Sequence, residues 1–446
     1  MFSHPSRTRR RRRDMIAGML VAVTLAATSC ASDDDTSSDA SDDNASSETS
    51  PPGTDAPAPT TEVETETSEP STTVEVSSDG ELWAATTPNM TPVDEATAAE
   101  WQQLTEDALA ASVGTPGAIV AVSHPELGFW SAAVGDAEVD ADEMTLDHHS
   151  RIGSVTKTMT AVAVLQLVDQ GSLSLDDTVD DVVPDVAEEF PPTADITVEH
   201  LLSMMSGLPD YANLPGGATA QAVQDPTKVW TPEELIAAAL GAAEVQPIGT
   251  PGYSTTNYTI LGLMYEAVTG DTIEDGVTRV AEEAGLTQTA LLPGDQNAMP
   301  DPSTHGYVDP AGAADLQQLA GVDVEPGTDA TDWSLSWGGA GGGAYSTIAD
   351  LFQWASTGSG NTLLSSALGD RRLPTEDGFI PDAGAFYGLG LLMQAPPWIG
   401  HSGQAIGWES YEVYDPETGG TFAVLVNSTG GLSPFLEVWA SVFELE

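Results

Sequence analysis

The sequence predicts an α+β domain in which one antiparallel β-sheet is flanked by N- and C-terminal helices and is interrupted by a mostly helical inserted region. Short apolar segments bounded by turn residues, a pattern typical of paired strands, occur near both ends of the folded part. Between them, from Gly171 to about Ala330, the chain has short helical stretches and loops rich in Pro and Gly. This order indicates one sheet to which both termini contribute.

The first thirty residues have the features of an export signal. Residues 7–13 include six arginines, and an apolar run from Met15 to Ala27 follows. This run is too short to span a membrane, so we expect residues 1–30 to be a signal peptide. The stretch Arg12-Arg13-Asp14-Met15-Ile16 also resembles a twin-arginine signal, which leaves the export route open.

Cys30 is the only cysteine, so no disulfide can form within the chain. It ends the sequence Ala27-Thr28-Ser29-Cys30, which resembles a bacterial lipobox, although leucine is usual where Ala27 stands. We therefore expect lipidation at Cys30 and a lipoprotein on the outer face of the membrane in a bacterial cell envelope. Without lipidation, the protein would be secreted.

Residues 31–90 are predicted to be a disordered tether. Residues 31–81 contain fifteen acidic side chains and no basic one, and few are apolar. Such a segment cannot bury enough surface to fold. The whole chain has a formal net charge of −57, which excludes nucleic acid as a partner on electrostatic grounds. The folded domain is expected at 91–446, as a monomer.

Apolar periodicity predicts the elements at the two ends of this domain. The opening helix has its apolar residues at helical spacing, namely Trp101, Leu104, Ala108 and Ala111. Two strands are predicted at each end, at Ala118–Ser123, Phe129–Val134, Ser410–Tyr414 and Phe422–Asn427. In the middle, 231–241 and 258–269 are the clearest helices. The last helix is predicted to start with Ser433 as N-cap and Pro434 at N1, with Leu436, Trp439 and Phe443 on one side.

The stretch from Ser154 to Val168 contains one charged residue, Lys157, and is apolar around most of a helix circumference. Such a segment is typical of a buried helix. Ser154 and Lys157 are three residues apart and would share one face near the helix N-terminus, where free N–H groups favour an oxyanion. A nucleophile, an amine and an anion site would then meet within one turn. A single Ser-x-x-Lys pattern is weak by itself, because such pairs also occur by chance.

Five segments in order make residues 94–446 similar to the serine hydrolases that include D-alanyl-D-alanine carboxypeptidases, class C β-lactamases and related esterases. They are Arg151 to Lys157; Ile196 to Pro209, with Met204-Met205 where His-Thr is common; Gly249 to Tyr258; Gly341 to Thr347; and Gly400 to Gly403. The last segment resembles the His-x-Gly variant of the family's third motif. The resemblance implies a β-lactamase/transpeptidase-like fold.

The resemblance also implies the role of each site residue. Ser154 would be the nucleophile, and Lys157 and Tyr253 would share the proton transfers, with the general base left open between them. His401 would line the opposite wall and donate to a substrate carboxylate. The backbone N–H groups of Ser154 and Gln404 would form an oxyanion hole. The substrate would contact Thr255, Ser402 and Gly403.

Thr255 departs from the family pattern. An asparagine is usual two positions after the tyrosine, where its amide would bond to a peptide or β-lactam substrate. A threonine hydroxyl is shorter and has one donor, which leaves the nucleophile intact and puts amide recognition in doubt. Asn257 would compensate only if the turn were shifted.

We therefore predict an exported serine acyl hydrolase that uses neither metal nor cofactor and resembles D-alanyl-D-alanine carboxypeptidases. Its substrate would be a peptidoglycan-type peptide, with small acyl esters or weak β-lactam hydrolysis as alternatives. A catalytically idle cell-wall binding module is the alternative of another class. A free histidine has a pKa near 6.5, so cleavage of carboxylated substrates is expected to improve as pH falls toward the His401 pKa.

Overall fold

The computed structural model describes residues 86–320, 323–375 and 378–445. The predicted signal peptide, Cys30 and nearly all of the predicted tether lie outside these residues and remain predictions. Contacts with the domain begin before the expected boundary at residue 91, because the Tyr414 hydroxyl donates to the Thr86 carbonyl at 2.9 Å. None of the described helices has the length and apolar character needed to cross a membrane.

The described residues form fourteen α-helices and fifteen β-strands. The helices are α1 Glu95–Ala111, α2 Thr156–Asp169, α3 Val179–Val182, α4 Pro184–Glu189, α5 Val198–Leu202, α6 Ala218–Gln224, α7 Pro232–Ala242, α8 Thr256–Thr269, α9 Ile273–Glu283, α10 Pro310–Ala320, α11 Gly339–Gly342, α12 Ile348–Trp354, α13 Ser366–Arg372 and α14 Ser433–Val442. The strands are β1 Gly117–His124, β2 Gly128–Glu138, β3 Asp142–Glu143, β4 Ser150–Arg151, β5 Ala290–Leu291, β6 Tyr307–Val308, β7 Thr328–Asp329, β8 Ala344–Ser346, β9 Phe379–Ile380, β10 Ala385–Tyr387, β11 Leu392–Met393, β12 Ile399–Ala405, β13 Trp408–Tyr414, β14 Thr421–Val426 and β15 Ser428–Thr429.

The main sheet is built from both termini, as the sequence predicts. Within the described residues it has nine strands in the order β3-β2-β1-β14-β13-β12-β11-β10-β9. The N-terminal strand β1 pairs antiparallel with β14, with Ile119 opposite Leu425. The two hairpins predicted from separate ends of the chain therefore meet in the middle of one sheet, and the α+β prediction is confirmed.

Alternating residues of the central strands pack against two different cores. Val120 and Val122 of β1 face the terminal helices, where Trp101 of α1 and Trp439 of α14 lie. Ile119 and Ala121 face the other side of the sheet, which the helical region covers. Because both faces are covered, β1 and β14 are apolar along almost their whole length.

Helix α2 is buried on nearly every side, as predicted. Its buried side chains include Met159, Val162 and Leu165, all with 0% exposure. The predicted start is wrong by two residues, because Ser154 lies in a 3₁₀ turn, Gly153–Val155, that leads into α2. Such tighter turns are common where an α-helix begins.

The last helix corrects another sequence-based prediction. Ser433 is the first helical residue and not the N-cap, and no side chain caps this helix. Leu432 takes the N-cap position with helical dihedral angles, and its N–H donates to Glu409 Oε2 at 2.8 Å. A buried carboxylate from the sheet thus satisfies the end of the helix, which made the predicted serine cap unnecessary.

Candidate active site

The turn that carries Ser154 is held against strand β12. Gly153 has a φ of 49°, and a Cβ added there would lie 2.4 Å from the Gln404 backbone nitrogen. A Cβ on Gly403 would lie 1.9 Å from the Ile152 carbonyl oxygen. Only glycine fits at these two positions, because the turn and the strand meet backbone to backbone. This contact brings the backbone beside Ser154 close to the Gln404 backbone, and these two residues carry the predicted oxyanion donors.

Lys157 is fully buried beside the nucleophile. Its Nζ lies 3.1 Å from Ser154 Oγ and 3.3 Å from Thr255 Oγ1, and it donates to the Gly341 carbonyl oxygen at 2.8 Å. Burial lowers the pKa of Lys157 from 10.5 to about 7, and the Asp210 carboxylate opposes part of this decrease. An amine with this pKa is partly unprotonated at neutral pH and can accept the proton of Ser154.

Tyr253 lies on the loop before α8 and faces both Ser154 and Lys157. Lys157 Nζ is 5.0 Å from the centre of its ring. Burial raises the pKa of Tyr253 well above 10, and a hydrogen bond with the Ser154 side chain lowers it by less. The phenol therefore keeps its proton at neutral pH, which suits a proton donor better than a resting base.

Thr255 takes the position that sequence analysis assigned to it, and Asn257 does not replace the missing asparagine. The Thr255 hydroxyl faces Lys157, as described above, whereas Asn257 points into the interior with 0% exposure. Ser206 Oγ donates to Asn257 Oδ1 at 2.6 Å, and Asn257 Nδ2 donates to the Leu201 carbonyl at 3.1 Å. Asn257 thus holds α5 against α8 and has no donor free for a substrate.

Two groups at the site were missed by sequence reasoning. Asp210 accepts the backbone N–H of Thr255 at 3.0 Å, and its charge acts on Lys157. The Gly341 carbonyl binds the Lys157 amine, and a Cβ on Gly341 would lie 2.6 Å from Thr255 Cγ2. Asp210 directly follows the recognised segment that ends at Pro209, and Gly341 begins another. Their positions were therefore visible in the sequence, but their contacts were not.

His401 differs most from expectation. Its side chain is 1% exposed, Nδ1 lies 2.5 Å from the Ser402 carbonyl oxygen, and Nε2 lies 3.0 Å from Tyr387 Oη. Since a carbonyl only accepts, the proton is on Nδ1, and Nε2 accepts the hydroxyl proton of Tyr387. The Nδ1 hydrogen is used in the bond to Ser402, and Nε2 has no hydrogen in this tautomer, so the expected contact with a substrate carboxylate is not available in this arrangement.

The expected titration of His401 is also wrong. Burial, together with the positive charge of Lys157, lowers its pKa from 6.5 to about 3, and the hydrogen bond with Ser402 opposes part of this decrease. The imidazole is therefore neutral at every pH at which the enzyme would be assayed. Ser402 is half-buried, Gly403 is buried against Ile152, and the exposed Gln404 side chain donates to Glu409 Oε1 at 3.1 Å.

The residues recognised in the sequence thus converge on one cleft between α2, α8 and β12. A buried amine lies beside a serine hydroxyl, a phenol faces both, and backbone N–H groups lie on the β12 side. This arrangement can activate the serine, stabilise an oxyanion and return a proton to a leaving group. It is the set of groups that serine acyl transfer requires.

Comparisons with known proteins agree with this chemistry. A family model described as Beta-lactamase matches residues 102–445. Penicillin-binding protein 4 from Amycolatopsis lactamdurans is 29% identical over 314 residues, which are 66% of this chain and 76% of that protein. The structure of a D-stereospecific amidohydrolase from Streptomyces sp. is 28% identical and covers 77% of this chain and 99% of its own, with a TM-score of 0.64.

A second similar structure is that of a D-amino acid amidase from Ochrobactrum anthropi SV3 with L-phenylalanine. It is 27% identical, covers 77% of this chain and 97% of its own, and has a TM-score of 0.65. The family match spans the helices, the sheet and the whole cleft. The chain therefore belongs to the beta-lactamase family of penicillin-binding-protein-like serine hydrolases.

Proposed function

We propose that the protein is a serine hydrolase that cleaves amides or esters of D-amino acids through an acyl-Ser154 intermediate. The observation that carries the proposal is the fully buried Lys157 amine, 3.1 Å from Ser154 Oγ and with a pKa lowered to about 7. A binding module has no need for a nucleophile beside a titratable amine. The alternative of an idle cell-wall binding module is therefore disfavoured.

In the proposed reaction, Lys157 takes the hydroxyl proton while Ser154 Oγ attacks the carbonyl carbon. The oxyanion that forms accepts hydrogen bonds from the backbone N–H groups of Ser154 and Gln404. Tyr253, which keeps its proton, gives that proton to the departing amine or alcohol and regains one from Lys157. A water molecule then attacks the acyl-serine while Lys157 takes its proton. The bond from the carbonyl carbon to Ser154 Oγ breaks, Lys157 returns the proton to Oγ, and the free acid leaves.

The proposed substrate class rests on similarity to known enzymes and on the acyl-serine chemistry that the site supports. The two similar structures named above are those of a D-stereospecific amidohydrolase and of a D-amino acid amidase. A second candidate is D-alanyl-D-alanine carboxypeptidase activity on a peptidoglycan-type peptide, favoured by the similarity to Penicillin-binding protein 4. Simple ester hydrolysis or weak β-lactam hydrolysis would use the same acyl-serine chemistry.

The test is covalent labelling followed by peptide mapping. A fluorophosphonate should label Ser154, and Ser154→Ala should abolish both labelling and hydrolysis of an activated D-amino acid ester. Ser172→Ala is the matched control, because Ser172 is exposed and lies at the far end of α2. Label on another serine, or full activity in Ser154→Ala, would refute the proposed nucleophile.

We also propose that the mature protein is a lipoprotein anchored through Cys30 on the outer face of the membrane. The support is the signal-like segment and the lipobox-like sequence before this lone cysteine. Two acyl chains hold a protein at a membrane far more firmly than one. The expressed protein should partition into detergent, and Cys30→Ala should release it into the medium. An unmodified Cys30 in cell-associated protein would contradict the anchor.

A further inference from the structure

The positions and partners of the basic side chains decide which substrate charges the cleft can bind. Six of the twelve basic residues lie in the first thirteen positions, so six belong to the described domain. Three are at the surface with acidic partners: Lys228 with Glu234, Arg279 with Asp271, and Arg371 with Glu199. The other three, Arg151, Lys157 and Arg372, are buried.

The buried arginines are bound to neutral groups outside the cleft. The Arg151 guanidinium donates to the carbonyls of Gly343 and Asn297. The Arg372 guanidinium donates to the Leu389 and Gly358 carbonyls and to Asn361 Oδ1. Lys157 is thus the one cation in the described domain that can reach the scissile bond, and the proton transfers need it.

The His401–Tyr387 pair lies beside the catalytic groups. Tyr387 lies against the catalytic groups, with its ring centre 6.1 Å from that of Tyr253 and 5.7 Å from that of His401. Its hydroxyl donates to His401 Nε2, while Nδ1–H donates to the Ser402 carbonyl. The ring is thereby fixed in one orientation and one neutral tautomer.

We propose that the His401–Tyr387 pair makes the cleft selective for substrates without a carboxylate beside the scissile bond, with Tyr387 as the positioning residue. This inference rests on the proposed acyl hydrolase function and names its substrate class. The preferred leaving group is a neutral amine, ammonia or alcohol. A carboxylate there would lose its hydration and meet no cation that is free to pair with it.

Burial and the nearby positive charges favour the neutral form of His401, and only the hydrogen bond with the Ser402 carbonyl opposes them. Lys157 and Arg372 are cationic, whereas Tyr253 and Tyr387 keep their protons because burial raises the pKa of both. Glu412 is paired with His401 across β12 and β13 and is fully buried, and burial raises its pKa well above 4.5.

The first experiment uses two thioesters of N-acetyl-D-alanine that differ in one group. One has thioglycolate as its leaving group and the other has thioglycolamide. A thiol beside a carboxylate is the poorer leaving group, so each kcat/KM is divided by the rate constant for hydrolysis of the same thioester without enzyme. We expect kcat/KM for the neutral member to be higher by about tenfold or more, because the carboxylate has no charged partner. A preference for the carboxylate member would overturn the inference and favour the carboxypeptidase candidate.

The second experiment tests Tyr387 with the variant Tyr387→Phe. Loss of the hydroxyl removes a hydrogen bond that holds Nε2 unprotonated, so a substrate carboxylate can then recruit a proton there. The ratio of carboxylate to neutral kcat/KM should rise about tenfold near pH 6, whatever the change in the rate for the neutral substrate. Tyr414→Phe is the control, because the Tyr414 hydroxyl donates to Thr86 away from the cleft. An unchanged ratio in Tyr387→Phe would show that this tyrosine does not set selectivity.

Nitrogen NMR of the labelled protein gives a readout that does not need turnover. His401 should be in the Nδ1–H tautomer and should not titrate between about pH 5 and pH 8. An Nε2–H tautomer or a titration in this range would overturn the inference even if the enzyme is active. If neither thioester is cleaved and Ser154 is not labelled, the proposed function fails. The NMR result then shows separately whether His401 is a neutral imidazole with its proton on Nδ1.

Discussion

The two sides of the cleft each bury a basic side chain, and burial has opposite consequences for them. On the α2 side, the pKa of Lys157 falls from 10.5 to about 7. On the β12 side, the pKa of His401 falls from 6.5 to about 3. The two decreases are similar, but the lysine then titrates in the working pH range and the histidine no longer does. The same desolvation therefore prepares one group for proton transfer and keeps the other neutral.

The hydrogen-bond partners reinforce this contrast. Lys157 faces three oxygens and the nearby Asp210 charge, so both its protonated and its neutral forms can be accommodated. His401 has the Ser402 carbonyl as acceptor at Nδ1 and the Tyr387 hydroxyl at Nε2, which donates to the neutral ring, and burial disfavours the charged ring. A titratable group becomes useful in acid–base chemistry where its surroundings tolerate both forms.

Removing the lysine should have the largest effect. Lys157→Met retains the length of the side chain and removes the amine, so Ser154 loses its proton acceptor. We expect kcat/KM for an activated ester to fall by about 10³-fold or more. Steady-state kinetics with circular dichroism as a check on folding measures this. Residual activity within about tenfold of wild type would mean that Tyr253 can act as the base without Lys157.

Gly341→Ala should come next, because it disturbs the lysine side without removing the amine. The new methyl would lie 2.6 Å from Thr255 Cγ2 and 3.5 Å from Lys157 Nζ, so the carbonyl that binds Lys157 must shift. We expect activity to fall by about 10- to 100-fold and stability by about 1–3 kcal/mol.

The neighbouring Gly342→Ala is the matched control for this prediction. The nearest atom to its added methyl is 3.8 Å away, an ordinary contact distance. Thermal unfolding and ester kinetics should separate the two variants clearly. Equal effects at both positions would mean that the helix α11 as a whole, and not the contact of Gly341 with Lys157, limits activity.

Sequence reasoning succeeded where local pattern determines structure. Short apolar segments between turn residues predicted the strands β1 and β14, and the mostly apolar run after Ser154 predicted a buried helix. Several motif residues were also expected together because a family resemblance ties their order to one cleft. The confirmed parts are therefore those for which period or motif order carries the information.

The missed parts depend on contacts between distant segments. Nothing near His401 in the sequence indicates that Tyr387, fourteen positions earlier, would be the hydrogen-bond partner of Nε2. The Leu432 N–H was likewise satisfied by Glu409 from another element, so a favourable serine at 433 was not used as a cap. Tautomer, burial and pKa follow from tertiary packing, and a single sequence does not specify them.

The pH profile should sharpen the contrast between the two sides. With a neutral ester, kcat/KM should rise as pH increases through about 7, because Lys157 must lose its proton to accept that of Ser154. No second change is expected between about pH 4 and pH 6, since His401 is already neutral there. A fall in kcat/KM as pH rises through about 6 would require a protonated group. If that fall disappears in His401→Asn, it contradicts the neutral histidine.

The same pKa decrease has a consequence for stability. Below about pH 7 lysine is protonated in both the folded and the unfolded protein, so the cost of burying the charge is fully present. Above that pH the folded lysine is neutral while the unfolded one still binds a proton, so this cost diminishes until the unfolded pKa of 10.5. Wild type should therefore gain stability relative to Lys157→Met as pH rises from 7 to 10. An unchanged difference in Tm would argue against the lowered pKa.

The smallest effect is expected at Thr255, which lies on the lysine side of the cleft. Its hydroxyl is 3.3 Å from Lys157 Nζ, and its backbone N–H is fixed by Asp210. In Thr255→Asn, the amide oxygen can replace the hydroxyl as a partner of Lys157, and the amide nitrogen gains a donor for the carbonyl of a substrate amide. The ratio of amide to ester kcat/KM should rise several-fold, which is the effect expected of one additional hydrogen bond.

Thr255→Ser is the control for that substitution, because it keeps the hydroxyl and removes only the methyl group that touches Gly341. Its amide-to-ester ratio should match that of wild type. If Thr255→Ser changes the ratio as much as Thr255→Asn does, the cause is the space beside Gly341 and not the missing donor. If neither changes it, selection between amides and esters depends on the β12 side, and the neutral His401–Tyr387 pair then becomes the main determinant of specificity.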